Sequence, residues 1–327
     1  MKLLVTGGLG FIGSNFINYW FCQHADDYIF NVDKVTYAAN FENINDPNNK
    51  NYRFVKADIN DKKIMEELIA SSDTVINFAA ESHVDNSISS PREFLMSNYM
   101  GVFNILELVR KYDKRFHQVS TDEVYGSLPL DSSDRFDERS CYKPRNPYSS
   151  TKAAADFLIR SYVNTYGIKA TISNCSNNFG PNQHPEKLIP KTILNVISNK
   201  KIPIYGDGKQ VRDWIYVEDH CIALDLILHN GRIGETYLVS SENEVSNNDM
   251  VNKVLNILDT TDKLIEHVSD RPGHDERYSL SPEKIRKDLG WHPKHNFDQA
   301  LKDTIWHYTK NIKKYTKMNT VSLDRLD

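Results

Sequence analysis

Short apolar runs alternate with amphipathic stretches through the first half of the chain. Lys2 to Thr6, Tyr28 to Val32, Tyr52 to Lys56, Thr74 to Phe78, Phe116 to Val119 and Ala170 to Asn174 read as strands. Between them, Ser14 to Gln23 (Phe16, Ile17, Trp20, Phe21), Asp61 to Ala70 and Arg92 to Lys111 (Phe94, Val102, Ile105, Leu106, Leu108, Val109) place apolar residues at helical intervals. The alternation predicts an α/β fold built on a parallel sheet. After Asn174 the composition shifts to proline and polar residues. There Asp213 to Asp219 reads as a short strand or turn entering a helix over Cys221 to Leu228, and Glu235 to Val239 as a strand. Ser246 to Leu258 reads as a helix, and Pro282 to Leu289 and Phe297 to Lys310 complete the smaller lobe, whereas Asn311 to Asp327 has little periodicity and is expected to fray.

Composition narrows the classes. With 327 residues the chain can bury a full core and suits two lobes, expected over 1–175 and 176–315 with a tail at 316–327, later segments returning to the first lobe. A formal charge of −4 and a pI near 6.3 offer no basic field for nucleic acid or anionic lipid, so neither is an expected partner. No apolar run reaches membrane-spanning length, and Lys2 already opens a strand, so a cytoplasmic protein is expected. Cys22, Cys141, Cys175 and Cys221 are far apart with no CxxC pair, which predicts free thiols and no metal site.

Gly7-Gly8-Leu9-Gly10-Phe11-Ile12-Gly13 follows the first strand and opens the first helix. Strand, glycine turn and helix together let backbone N–H groups approach a pyrophosphate, aided by the helix N-terminus. Asp33 ends the second strand where an acidic side chain takes ribose hydroxyls, favouring NAD over NADP, with Lys34 softening that preference. These features specify a Rossmann-type doubly wound parallel sheet with a smaller mixed α/β substrate lobe. Tyr37 to Asn51 reads as a loop over the cofactor edge. Asp58 suits either an adenine contact or a helix cap, and the small residues of Ala79-Ala80-Glu81-Ser82-His83 allow close passage past a ligand, with His83 expected to close the site rather than to act in catalysis.

The fifth strand delivers Ser120-Thr121-Asp122-Glu123-Val124-Tyr125-Gly126, a hydroxyl and two adjacent carboxyls. Neighbouring side chains in a strand point to opposite faces, so both acids reach one ligand only where the pleat ends, which Gly126 and Pro129 are expected to supply. Tyr148 and Lys152 then fall four residues apart on one face of a helix running to about Tyr166. An adjacent ammonium and a positive nicotinamide ring are expected to lower the phenol pKa so that Tyr148 accepts a proton near neutrality.

From Met1 to about Lys310 the sequence resembles the extended short-chain dehydrogenase/reductase superfamily, and within it the nucleotide-sugar 4,6-dehydratases. The resemblance rests on Thr121-Asp122-Glu123 with Tyr148 and Lys152, on Asn174 to Pro181, on Pro185 to Pro190, on Arg212-Asp213-Trp214 and on Asp270 to His274. Epimerases of the superfamily typically lack the Asp-Glu pair. The resemblance implies an NDP-glucose substrate, dTDP-glucose first and UDP-glucose as the alternative, with a 4-epimerase as a third reading. Tyr148 would take the C4 hydroxyl proton, Thr121 and Lys152 would orient the oxygen, Glu123 would act as base at C5 and Asp122 as acid at the C6 hydroxyl.

It implies further that NAD meets Gly7, Gly10, Phe11, Ile12, Gly13, Asp33, Lys34, Thr36, Asp58, Ile59, Phe78, Ala79, Ala80, Ser82, Ser97, Tyr148, Lys152 and Asn178. The sugar nucleotide would meet Ser82, Thr121, Asn177, Lys187, Leu188, Pro203, Ile204, Tyr205, Arg212, Asn247, Arg271 and His274. In this picture Arg212 and Arg271 suit a diphosphate and Tyr205 a base. A homodimer through helices of the first lobe is implied, and the Arg92 to Lys111 stripe serves either that contact or the core. The chain departs from the family at Phe179 and Asn86, where many members carry Tyr and Arg.

Overall fold

The computed structural model describes residues 1–315. The strands are β1 Lys2–Thr6, β2 Tyr28–Asp33, β3 Tyr52–Lys56, β4 Thr74–Asn77, β5 Arg115–Thr121, β6 Lys169–Cys175, β7 Asn177–Phe179, β8 Ile202–Tyr205, β9 Val211–Tyr216, β10 Thr236–Val239, β11 Glu244–Ser246 and β12 Ile265–Val268. Seven of them form one sheet in the order β10-β6-β5-β4-β1-β2-β3, and every pairing in it is parallel. The order reverses between β1 and β4, which opens a crevice at the carboxyl ends of those strands.

Alternate residues of the central strands feed opposite cores. Leu4 joins Val75, Phe116, Ile105 and Ile159 on one face; Val5 joins Phe16, Ile17, Trp20 and Leu224 on the other. Burial on both faces is why these strands read as continuous apolar runs. The seventh strand, β10, comes from beyond residue 175, and the Val217–Asn230 helix before it packs Cys221 and Leu224 against the Phe11–Gln23 helix.

The predicted helix over 92–111 is interrupted. Pro91–Phe94 and Gly101–Lys111 are α-helical, and Leu95–Met100 between them makes a π turn. In that turn Asn98 accepts from Glu81 N at 2.8 Å and donates to Glu81 O and Thr151 Oγ1, each at 3.0 Å. A Cβ on Gly101 would lie 2.2 Å from Ile59 Cδ1, so any larger residue there makes the Ile59 side chain turn aside. Val102, Ile105, Leu106, Leu108 and Val109 are all core residues, so the stripe is an internal face.

The smaller lobe holds a three-stranded sheet, β11-β9-β7, and the parallel pair β12-β8. The helices Leu188–Ile197, Asn247–Ile257 and Phe297–Lys310 enclose Phe179, Ile193, Trp214, Met250, Leu301 and Tyr308. Phe179 is fully buried 5.4 Å from the Phe297 ring and 5.6 Å from that of Tyr216, so its side chain is spent on the core. The expectation of fraying from Asn311 fails for 311–315. Tyr315 is buried, its ring 4.4 Å from that of Tyr308 and its hydroxyl 2.7 Å from His307 Nε2. Burying such a ring contributes on the order of 1.5–3 kcal/mol, to which Ile312 on the same core and the Lys314 Nζ contact with Asn182 Oδ1 at 3.1 Å add. The remainder of the expected tail, 316–327, lies outside the described residues.

Candidate active site

The crevice begins at the glycine turn. Gly7 has φ +68°, and a Cβ there would stand 2.7 Å from Ala79 N, so only glycine lets the ends of β1 and β4 meet. Gly10 differs, because its Cβ would meet only Gly7 O, at 3.3 Å, and the space beside it opens on the cleft. The Phe11–Gln23 helix starts at Gly10 with no side-chain cap and no acid in its first turn. Its N–H groups and positive dipole end therefore face the cleft, a cradle suited to a diphosphate.

Asp33 closes the next strand, its carboxylate held by Leu9 N at 3.1 Å and Val35 N at 2.8 Å. Burial pushes its pKa up against the pull of those two donors. Lys34 stands 3.4 Å from Glu81, so that cation is partly matched by the protein itself. Asp58 is no helix cap: it accepts from Asn60 N at 2.8 Å, while Asp61 caps the Lys62–Ser71 helix through Ile64 N at 3.2 Å. Thr36, Ile59, Phe78, Ala79, Ala80, Ser82 and Ser97 line the same compartment with Ile12 and Gly13. Asn178 lines it too, with its amide engaged by His220 Nδ1 at 2.9 Å and Ser176 O at 3.0 Å.

The carboxyl pair sits where β5 ends. The strand runs through Thr121, beyond the predicted end at Val119, and Asp122–Tyr125 is a 3₁₀ turn closed by Gly126 at φ +86°. Such a turn rotates successive residues by about 120° instead of 180°, which brings both acids to the cleft wall. Thr121 Oγ1 accepts from Glu123 N at 3.3 Å and donates to Asp122 Oδ1 at 3.1 Å. Asp122 Oδ2 is buried with no partner. Burial, then the neighbouring Glu123, hold the Asp122 pKa well above the ordinary carboxyl range. Burial also raises Glu123, but Arg271 and Lys187 draw it back down, and Asn146 Nδ2 lies 3.4 Å from Oε2. Asp122 is thus the group that keeps its proton and Glu123 the one that gives it up more readily.

Asn146 starts the Pro147–Tyr166 helix in a capping box with Ser149, fixing Tyr148 at its first turn. Lys152 is buried and donates to Val119 O at 2.8 Å. The expected lowering of the Tyr148 pKa is not produced by these side chains. Burial and then the Glu123 charge raise it, opposed by the Thr121 hydroxyl, and burial lowers that of Lys152. The physical reason is placement: the ammonium is tied to a carbonyl, whereas the phenol sits in a dry wall beside a carboxyl.

One helical turn beyond Lys152 is Asp156, which sequence reasoning passed over. It is fully buried and accepts from Ser120 Oγ at 2.8 Å, Tyr142 OH at 3.1 Å and Asn174 Nδ2 at 3.3 Å. Its charge opposes the loss of the Lys152 proton. The spacing of Tyr148, Lys152 and Asp156 at i, i+4 and i+8 is the signal that would have found it.

A second compartment joins the first at Glu123, Asn177 and Lys187. Its volume of about 770 Å³, beside about 300 Å³ for the first, lies within the range of small-molecule sites. Leu188, Pro203, Ile204, Tyr205, Arg212, Asn247, Arg271 and His274 line it, with Trp214, which the sequence marked only within the motif it shares with Arg212, and Tyr278, which it did not single out. Asn177 Oδ1, Arg271 Nε and Trp214 Nε1 are buried without partners, a donor and acceptor set suited to a polar ligand. Arg212 is less free than expected. Its guanidinium donates to Val211 O at 2.8 Å and Asp275 O at 2.9 Å and lies 4.3 Å from the Tyr278 ring centre. Tyr205 donates to Asp85 Oδ2 at 3.0 Å, and His274 Nδ1 lies 2.7 Å from Asp270 Oδ1. Asn247 opens its helix while Ser246 caps it. Lys187 Nζ reaches Ser82 O at 3.2 Å across the two lobes, and His83 caps the Val84–Ser89 helix.

Residues 4–304 match the family described as GDP-mannose 4,6 dehydratase. The chain belongs to this family of nucleotide-sugar dehydratases. Within it, the chain is 48% identical over 312 residues to a dTDP-glucose 4,6-dehydratase of Mycobacterium tuberculosis (strain ATCC 25618 / H37Rv), covering 95% of this chain and 94% of the relative. The fold superposes with TM-score 0.91 on a dTDP-glucose 4,6-dehydratase from Bacillus anthracis in complex with NAD, at 42% identity and covering 97% and 99% of the two chains. It superposes with TM-score 0.94 on DesIV, a dTDP-glucose 4,6-dehydratase from Streptomyces venezuelae with NAD and TYD bound, at 38% identity and covering 97% and 100%.

Proposed function

We propose that this dehydratase is an NAD-dependent hydro-lyase converting dTDP-glucose to dTDP-4-keto-6-deoxyglucose. The observation that carries the reading is the unequal carboxyl pair, Asp122 in the wall of the first compartment and Glu123 where the two compartments join. The uncapped helix at Gly10, the open space beside that glycine and the pinned Asp33 carboxylate fit the diphosphate and ribose of NAD. When bound, NAD supplies reversible two-electron chemistry, taken up at C4 and returned at C6, and a positive ring charge.

Tyr148, its phenol lowered by that ring charge against burial and Glu123, accepts the C4 hydroxyl proton, with the Thr121 hydroxyl and the Lys152 ammonium orienting the oxygen. The resulting C4 ketone acidifies C5–H, which Glu123 removes. Asp122 donates its proton to the C6 hydroxyl, which leaves as water. Glu123 then reprotonates C5 as the C5=C6 bond is reduced at C6. Arg271, Lys187 and Asn177 hold the sugar nucleotide, and Tyr205 offers a ring to its base.

Residues 1–175 thereby carry the dinucleotide and 176–315 mainly the sugar nucleotide. We place the protein in the cytoplasm, in deoxysugar biosynthesis. No helix among the described residues is long and apolar enough to cross a membrane. Exposed Leu95, Met96, Met100, Phe157 and Tyr166 on adjoining helices suit the contact of a homodimer.

The test offers dTDP-, UDP-, CDP- and GDP-glucose in parallel. Loss of one water, seen by mass spectrometry, with kcat/KM highest for the dTDP sugar supports the reading. Thymine and uracil differ by one methyl, worth about 1–3 kcal/mol, so UDP-glucose should follow within about 200-fold. Product of unchanged mass with C4 inverted would make the chain an epimerase instead.

A further inference from the structure

A cluster outside the cleft carries its own chemistry. His24 follows the Phe11–Gln23 helix, and Asp225 and His229 lie one turn apart on the Val217–Asn230 helix. Both helices end at the amino-terminal edge of the large sheet, opposite the cleft, and none of the three residues lines either compartment. His24 Nε2 is 2.9 Å from Asp225 Oδ2, and His229 Nδ1 is 2.8 Å from Asp225 Oδ1. One ligating atom from each residue falls within 4.8 Å of the others.

We propose that His24, Asp225 and His229 form a site for a divalent transition-metal ion. A tetrahedral ion with bonds of about 2.0–2.1 Å sets its ligand atoms about 3.3 Å apart, so three atoms within 4.8 Å of one another need to close by at most about 1.5 Å to share one ion. Two imidazoles and one carboxylate suit Zn²⁺, Ni²⁺ or Cu²⁺ over Mg²⁺ or Ca²⁺. Three protein ligands leave a fourth position for water, and the His229 side chain, 42% exposed, leaves an entry path. Tyr19 OH donates to Asp225 Oδ2 at 2.9 Å, an outer contact of the kind that orients a ligating carboxylate. The ligands come from two helices already packed together, so little ordering is left to binding. The ion would clasp the far end of the cofactor-loop helix to the helix that leads into β10, outside the reaction itself. His24 and Asp225 are 201 residues apart, which is why spacing along the sequence did not reveal the set.

The competing account is a hydrogen-bonded cluster in which Asp225 satisfies Tyr19 and both rings without metal. Calorimetric titration of zinc chloride into the chelator-treated, NAD-bound full-length enzyme separates the two. The proposal expects one ion per chain with a micromolar dissociation constant and a melting temperature several degrees higher in saturating zinc. Replacing both rings (His24→Gln with His229→Gln) keeps a donor toward Asp225, so turnover and the metal-free melting temperature should hold while affinity falls at least about tenfold. Trp20 provides a second readout, its ring centre 4.1 Å from that of His24 and 5.6 Å from that of His229. Cu²⁺ should quench its emission, and Trp20→Phe should remove that quenching while leaving zinc binding intact. Absence of saturable binding below about a millimolar, or binding unchanged in the double variant, would overturn the site. Should the double variant not fold, His229→Gln alone, at the exposed ring, must show the same loss.

Discussion

Replacing Asp122 by Asn removes a proton donor while leaving the shape of the site. Asp122 Oδ1 receives the Thr121 hydroxyl at 3.1 Å, and an amide oxygen can accept the same bond. Oδ2 is buried without a partner, so an NH₂ group in its place breaks nothing already made. The group holds its proton in the fold, so exchanging a neutral acid for a neutral amide should shift stability by less than about 1 kcal/mol. Catalysis is another matter. A positioned general acid contributes about 10²–10⁴-fold, which is about 3–5 kcal/mol of barrier, and all of that is at stake when the C6 hydroxyl must leave unassisted. Steps before water loss depend on Tyr148 and Glu123 and should survive. In deuterated water the Asp122→Asn enzyme should therefore exchange the C5 hydrogen of bound substrate and build up reduced cofactor, followed by its absorbance. Glu123→Gln should reduce the cofactor without C5 exchange. Dehydration by Asp122→Asn within a fewfold of wild type, or loss of C5 exchange in that variant and its retention in Glu123→Gln, would refute the assignment of acid and base.

The two turn glycines should part company: Gly7→Ala, with φ +68° and a contact of 2.7 Å, should lower stability by about 1–3 kcal/mol in denaturant melts. Gly10→Ala, whose Cβ meets only Gly7 O at 3.3 Å, should melt near wild type yet retain NAD poorly on gel filtration. Asp156→Asn should lower kcat at least about tenfold with KM nearly unchanged and shift the pH profile of kcat, because the charge that keeps Lys152 protonated is gone; Asp156→Glu should restore part of the activity, and a flat response would leave Asp156 a packing residue. Burial raises the Asp213 pKa from 3.8 to about 7, with Ser240 and Asn243 N as its partners. Because the folded value lies above the unfolded one, this stabilising contribution is complete below about pH 4 and is lost as pH rises to about 7. The span is on the order of 4 kcal/mol. Asp213→Asn should accordingly be more stable than wild type at about pH 8 and nearly equal to it at about pH 4, as urea melts at the two pH values would show.

What could be read from residue order was whatever is local. The glycine turn, the acid ending β2 and the Tyr148/Lys152 pair each occupy a few consecutive residues or one helical face, so period and spacing located them. Later segments were expected to return to the first lobe, but that β10 is the one that joins the large sheet was not legible, because a four-residue apolar strand carries no mark of which sheet it joins. The π turn at Leu95–Met100 depends on Asn98 reaching Glu81 and Thr151, contacts that helical periodicity does not encode. Charge environments were the least legible. The phenol of Tyr148 was expected to titrate low beside Lys152 and a positive nicotinamide ring, but the lysine turns to Val119 O, which leaves the ring to act against burial and then Glu123. Arg212, assigned to phosphate by residue type, directs two of its nitrogens at carbonyls. The segment 311–315 looked polar and aperiodic, yet Tyr315 on Tyr308 and His307, Ile312 on the small-lobe core and Lys314 on Asn182 anchor it.

Following the C4 hydrogen through a single turnover is the most direct measurement of the central claim. With dTDP-glucose deuterated at C4, in ordinary water, the account predicts product one water lighter with the deuterium at C6. Deuterium still at C4, or released to solvent with none at C6, would contradict it.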